Sequence, residues 1–388
     1  MENCNTEFDE IRPFSNKELP KVYEDLIADQ HFRGAIETLL HLPFEIIAER
    51  MRQCKTVRQF QETFCIGILT EIANKHSDGL TIHVPENHKK GTSYTYISNH
   101  RDIVLDSGFL SILLMQEGMD TVEVAIGDNL LIYPWIKNIV RINKSFIVQR
   151  SLNMRQMLES SIRLSKYMHY VINEKMQSIW IAQRQGRAKD GDDRTQDSVL
   201  KMFAMGGEGS SLDRLISLNI VPLSISYEFD PCDYLKAKEM QLHRDGPDYK
   251  KSEQDDLNNM ETGLFGYKGR VHFEITHCIN NELQALKSQD LNKVELFTKV
   301  SEITERAIHL NYKFYPCNYV AHDMLMNEQR FVDHYTNEDY VKFNSYIDQR
   351  LAKIDLPNRD IPFLRNKILE MYANPLSNYL TVKESANE

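Results

Sequence analysis

The stretch SNHRDIVLDSGFLS, residues 98–111, holds the residues best suited to chemistry. It follows a strand-like run, Tyr94 to Ile97, and precedes a helix-like one, Gly108 to Gln116. His100 therefore stands at the mouth of a strand-to-helix turn, with carboxylates at Asp102 and Asp106 within a turn or two. An imidazole held by a carboxylate can act as a general base near neutrality, because the unperturbed pKa of histidine lies there. A hydroxyl or amine deprotonated by such a base can attack an activated acyl group. The plain alternative is a satisfied loop histidine with Asp102 capping the following helix.

The letters His-Arg-Asp also open the catalytic loop of protein kinases. That loop needs an asparagine five residues after its aspartate, and Ser107 stands there. It also needs a glycine-rich loop and a D-F-G, which the chain lacks, so the kinase reading is excluded.

Three further blocks carry charged or special residues at strand ends. KSFIVQR is an apolar strand ending in Arg150. IWIAQRQGRAK runs from a strand into a basic turn with Arg184, Gln185, Gly186, Arg187 and Lys189. IVPLSI is an apolar strand around Pro222. Other signals are weaker. KDGDDRTQD lacks the spacing and terminal glutamate of a calcium loop, and GGEGSS lacks the lysine of a phosphate loop. The thirteen histidines form no H-E-x-x-H, so no metal is expected.

The elements that must position these residues alternate. Strand candidates are residues 93–98, 121–126, 145–149, 178–183, 220–227 and 271–277, with helical stretches at 107–117, 129–140 and about 151–176. Alternation of this kind implies an α/β layer fold with a largely parallel sheet. In such sheets ligands bind beyond the carboxyl ends of the strands, where residues 100, 150 and 184–189 fall. Residues 1–85 read as a helical N-terminal region broken at Pro43. Residues 86–290 read as the α/β core, with 228–268 an irregular polar excursion, and 291–388 as a helical C-terminal region. The two ends, 1–10 and 380–388, are expected to be loose.

Composition sets the class. With 388 residues, 41% hydrophobic and 26% charged, the chain suits a soluble globular protein with an ample core. No run approaches the ~18 apolar residues of a spanning helix, and the acidic, polar start is unlike a signal peptide. Six dispersed cysteines without a CxxC pair read as free thiols of a reducing compartment. The net charge of −10 argues against nucleic acid as a partner. Between Pro134 and Lys189, however, eleven Lys or Arg face only two Glu, which suggests an anionic ligand or surface.

Taken in order, the four blocks NHRDIVLD, KSFIVQR, IWIAQRQGRAK and IVPLSI resemble the glycerolipid acyltransferase superfamily, which includes glycerol-3-phosphate and 1-acylglycerol-3-phosphate acyltransferases. The resemblance spans roughly residues 90–280. It implies a layered sheet with flanking helices and acyl transfer from acyl-CoA or acyl-carrier protein to a hydroxyl of a phosphorylated glycerol or lysolipid. No cofactor or metal is implied. His100 takes the place of the base. The family's aspartate comes after four residues and Asp106 after five, so either a bulge absorbs the extra residue or Asp102 takes the role; Asp106 is favoured. Arg150 matches the arginine expected to hold the acceptor phosphate, with Lys144 where the family has glycine. Gln185, Gly186 and Arg187 occupy the Glu-Gly-Thr-Arg block, a neutral amide replacing the glutamate. Pro222 matches the strand associated with the acyl donor. A lipid substrate and no spanning segment imply a cytoplasmic protein held peripherally at a membrane surface. Two rival readings follow from the altered blocks: another polar or amino-acid-containing lipid as acceptor, or a catalytically weak lipid-binding homologue.

Overall fold

The computed structural model describes residues 6–150 and 152–385. Of the ends expected to be loose, residues 1–5, with Cys4, and 386–388 lie outside them, whereas Thr6–Phe8 form a short 3-10 helix with Phe8 buried and the last helix runs to Glu384.

Seven strands form one sheet: β1 (Gly79–His83), β2 (Thr95–Ser98), β3 (Glu123–Gly127), β4 (Ser145–Val148), β5 (Ile179–Ala182), β6 (Ile220–Tyr227) and β7 (Arg270–Ile275). Their order is β1-β7-β6-β2-β5-β3-β4. Strands β6, β2, β5, β3 and β4 run parallel to one another. β7 is antiparallel to β6 and parallel to β1. The carboxyl ends of the five parallel strands therefore share one edge, and residues 99–102, 127–129, 150 and 183–187 all fall there.

Alternation along the strands fills two apolar layers. Ile179 and Ile181 of β5 join Ile97, Phe146, Tyr167, Met168 and Phe203 on one face, where the helix Met154–Asn173 packs. Trp180, between them in sequence, joins Tyr96, Val124, Leu105, Phe109 and Leu110 on the other, under the helix Leu105–Gln116. Burial of each large side chain contributes roughly 1.5–3 kcal/mol, so these two layers fix the register of the parallel strands.

The terminal regions have cores of their own. Leu19, Phe32, Phe44, Ile47 and Phe60 pack with Ile142 and Trp135 of the helix Pro134–Ile142. At the other end Val320, Phe343, Ile347, Ile368 and Tyr372 pack on Phe229 and Ala237.

Two sequence expectations are corrected. The region read as wholly helical up to residue 85 contains β1, an edge strand whose residues alternate between exposed and half-buried. Residues 228–268 are no irregular excursion. They form the helices Asp233–Asp245 and Glu253–Phe265, the second opened by a reciprocal capping box between Ser252 and Asp255.

Candidate active site

The four residues after β2 divide the labour of building the turn. Asn99 ties β2 to β6: its Oδ1 accepts the Ile225 N–H at 2.8 Å and its Nδ2 donates to the Ile225 carbonyl at 2.9 Å. His100 faces the edge. Arg101 turns inward, and its Nη2 donates to Asp193 Oδ2 at 2.6 Å, where the Tyr312 hydroxyl also donates. Asp102 Oδ1 accepts the N–H groups of Val104 and Leu105, at 2.9 and 2.7 Å, satisfying free donors at the start of the next helix.

Asp106, in the first turn of that helix, is fully buried. Its Oδ2 lies 2.8 Å from His100 Nδ1 and accepts the backbone N–H groups of Arg101, at 2.6 Å, and Asp102, at 3.1 Å. The residues between histidine and aspartate wrap around the carboxylate, which is how the turn accommodates the additional position. With the Nδ1 proton engaged by Asp106, Nε2 is left as the basic nitrogen. The His100 side chain is 14% exposed, enough to meet a substrate. Trp180 packs edge-on against the imidazole, 5.7 Å between ring centroids, and is itself held by its N–H to Ser98 Oγ at 3.0 Å.

The second carboxylate has a different character. Burial, and next the neighbouring Asp106 charge, raise the Asp102 pKa above the ordinary range. The two carboxylates thus stand close but do different things: one orients the imidazole, the other starts the helix. Behind Asp106 lies Tyr227, the last residue of β6, whose phenol is pushed well above its usual pKa by burial and then by the Asp106 charge.

The cations sit along the same edge. Arg187 follows β5, the neighbour of β2, and burial works against its charge while Cys232, Asp230 and Asp102 favour it. Its Nη2 donates to Asn259 Oδ1 at 2.9 Å. Among the described residues, Arg187 Nη1 and Arg184 Nε are buried with no hydrogen-bond partner. Gly186 has a φ of 70°, a left-handed conformation that glycine adopts without strain. Gln185 is exposed, its N–H donating to Gln196 Oε1 at 2.7 Å.

Arg150 lies farther along. Its strand is three places from β2, about 14 Å between strand axes. The guanidinium lies on Gly127, where a Cβ would come within 2.7 Å of Cζ, and Nη1 donates to Asn129 Oδ1 at 3.1 Å. Pro222 is not brought to this edge. It sits inside β6 opposite Ile97, three residues upstream of His100, or about 10 Å along the strand.

Among the described residues, no group of three or more His, Cys, Asp or Glu has metal-binding geometry. The five described cysteines are free thiols. No described helix is long and apolar enough to cross a membrane. Part of the basic span is paired in three dimensions: Lys144 with Asp120, Arg163 with Glu10, Lys166 with Glu7, Lys175 with Glu123 and Lys189 with Glu239, while Arg141 is buried.

Sequence reasoning missed Trp180, Tyr227 and Asn259. The first two are apolar-strand positions whose neighbours come from other strands, and the third lies in a polar segment read as loop.

Residues 79–225, from the start of β1 to late β6, match the acyltransferase family model. No curated protein matches the sequence significantly. A solved structure, the 1-acyl-sn-glycerophosphate (LPA) acyltransferase PlsC from Thermotoga maritima, is 12% identical with a TM-score of 0.36, over 76% of this chain and 96% of that one. That likeness is too slight to bear on substrate. The family match covers the residues that build the His100–Asp106 pair, the turn after β5 and most of β6, so this part of the chain is similar to an acyltransferase domain.

Proposed function

We propose that the protein transfers a fatty acyl group from a thioester, acyl-CoA or acyl-carrier protein, to a hydroxyl of glycerol 3-phosphate or 1-acylglycerol 3-phosphate in phospholipid synthesis. The observation that carries this reading is the His100–Asp106 pair at the carboxyl edge, with Arg187 on the adjoining turn. His100 Nε2 takes the acceptor hydroxyl proton as its oxygen attacks the thioester carbonyl. The tetrahedral oxyanion collapses, the C–S bond breaks, and the imidazolium returns the proton to the departing thiolate sulfur. Asp106 holds the ring and stabilises its transient charge. Donors of the turn after β5 stabilise the oxyanion. No step calls for a metal, a further cofactor or a covalent enzyme intermediate.

Arg187 and Arg150 bind the acceptor's phosphate in this proposal. Among the described residues Arg187 Nη1 has no hydrogen-bond partner, and a guanidinium suits phosphate oxygens. With Pro222 inside the sheet, its part in donor binding rests on the family resemblance. A second reading keeps the chemistry and changes the acceptor to another polar lipid; the exposed neutral Gln185, in place of a glutamate, favours it.

We also propose a cytoplasmic protein attached peripherally to a membrane surface. Apolar contact supports this better than charge does. Met154, Met157 and Leu158 lie on one face of the helix that follows Arg150, and Met154 is 88% exposed. The test of function is product formation from labelled acyl-CoA with a panel of glycerol phosphates and lysolipids. Ester formation only on phosphorylated acceptors supports the first reading, and preference for an unphosphorylated lipid supports the second.

A further inference from the structure

The segment between β6 and β7 is where the fold departs most from its sequence reading, and it ends above the candidate site. Helix Glu253–Phe265 presents Asp256, Asn259 and Gly263 at intervals of three and four residues, hence on one face. Each meets a different part of the crevice. Gly263 packs so closely on Asp102 that a Cβ there would collide with its Oδ2. Asn259, 7% exposed, accepts from Arg187 Nη2 at 2.9 Å. Asp256, paired with Lys251, is close enough to Arg150 to favour its charged form.

The orientation of Asn259 is fixed by its other end. Nδ2 donates to the Asp255 carbonyl of its own helix at 2.7 Å, so Oδ1 is the atom turned to the guanidinium. The helix is anchored at its C-terminal end by Lys268, fully buried, whose Nζ donates to the carbonyls of Leu264 and Gly266 at 3.0 and 2.6 Å. Asn259 thus engages one terminal nitrogen of Arg187 and leaves Nη1 buried and unpartnered among the described residues.

We propose that this helix is the outer wall of the acceptor site and that Asn259 is a positioning residue, fixing the Arg187 guanidinium so that Nη1 meets an anionic oxygen of the acceptor. The proposal rests on the assignment of Arg187 to the acceptor's phosphate. It adds a specificity-determining element from outside the matched span of residues 79–225. A neutral side chain suits the position, since a carboxylate there would form an internal ion pair with Arg187 and repel the ligand.

The experiment is steady-state kinetics of the full chain with acyl-CoA and glycerol 3-phosphate or 1-acylglycerol 3-phosphate. It compares Arg187→Ala, Asn259→Ala, Asn259→Asp and the Arg187→Ala/Asn259→Ala pair, with folding checked by circular dichroism. Asn259→Ala should raise the acceptor KM about three- to tenfold, the size of one hydrogen bond, without moving the donor KM. Asn259→Asp should raise it further. The double variant should match Arg187→Ala alone, because Asn259 acts through that residue. If Arg187→Ala raises the acceptor KM but the Asn259 variants do not, or the effects add, the proposal is overturned and the clamp stands. If Arg187→Ala leaves the acceptor KM unchanged, the clamp itself fails and the wall with it. Should Asn259→Ala fail to fold, Asn259→Asp alone decides: an unchanged or lowered acceptor KM overturns the proposal.

Discussion

Replacing the two aspartates near His100 tests the proposal that one carboxylate serves catalysis and the other the helix start. Asp106 Oδ2 receives the imidazole and two backbone N–H groups, and among the described residues no Lys or Arg bonds to it. When the base takes its proton, a full positive charge forms next to that carboxylate. Two unit charges about 4 Å apart at an effective dielectric near 20 attract by about 4 kcal/mol. At about 1.4 kcal/mol per decade, Asp106→Asn should lower kcat by roughly 10³. Asn keeps an acceptor oxygen for the backbone N–H groups, so the fold should survive. Asp102→Asn should behave differently. Its Oδ1 only accepts from Val104 and Leu105 N–H groups, a task an amide oxygen performs as well, since Asn and Asp rank together at helix starts. It also removes an unfavourable charge beside Asp106. Activity should stay within about tenfold of wild type, because one neutral hydrogen bond is worth no more. The assay is kcat for acyl transfer, with thermal unfolding as the control. If Asp102→Asn costs as much as Asp106→Asn, or more, the division of roles is refuted.

Other outcomes follow from particular contacts. Arg150→Ala should raise the KM for a phosphorylated acceptor about ten- to a hundredfold, the worth of a charge-assisted hydrogen bond, and leave the donor KM unmoved; equal effects on both contradict the clamp. Gly127→Ala should mimic a milder Arg150 variant, since the new methyl displaces the guanidinium lying on it; unaltered acceptor kinetics would show that this placement is unimportant. Burial pushes the Lys268 ammonium down to about 8, below its unfolded value near 10.5. Between those values the unfolded chain holds more protons, so wild type should gain stability relative to Lys268→Met as pH rises from about 8 to above 10. Parallel denaturation midpoints across that range would refute this. Binding to lipid vesicles should depend little on salt and fall sharply in Met154→Glu/Leu158→Glu, because six of the eleven basic residues of the 134–189 span have acidic partners and Arg141 is buried; strong salt dependence would restore the electrostatic account.

Much of the sheet was legible because the parallel strands are short apolar runs between helical periods, a pattern written locally. β1 was not, because an edge strand with one half-buried face carries only five weakly alternating residues straight after a helix. The helix Glu253–Phe265 was missed for a more telling reason. Its most buried face carries Asn259 and Gly263, and its apolar repeat, Leu257, Met260 and Leu264, is short, only half-buried and set among charged residues. Its readable signal was Ser252 followed three residues later by Asp255. At the site, His100 and the cationic turn were visible because they follow strands directly. The placement of Arg150 on Gly127, the burial of Pro222 within β6 and the Trp180 contact depend on strand order, which local sequence does not encode. The pairing within the basic span was hidden in the same way, since its partners Glu7, Glu10, Asp120 and Glu239 lie outside it.

The most direct test of the account is the turnover of His100→Ala. The full chain is assayed with labelled acyl-CoA and glycerol 3-phosphate or 1-acylglycerol 3-phosphate, after circular dichroism has shown a wild-type fold. Removal of the general base should reduce acyl transfer by about 10²–10⁴. A folded variant with near-wild-type turnover would contradict the assignment of His100 and, with it, the site built around Asp106.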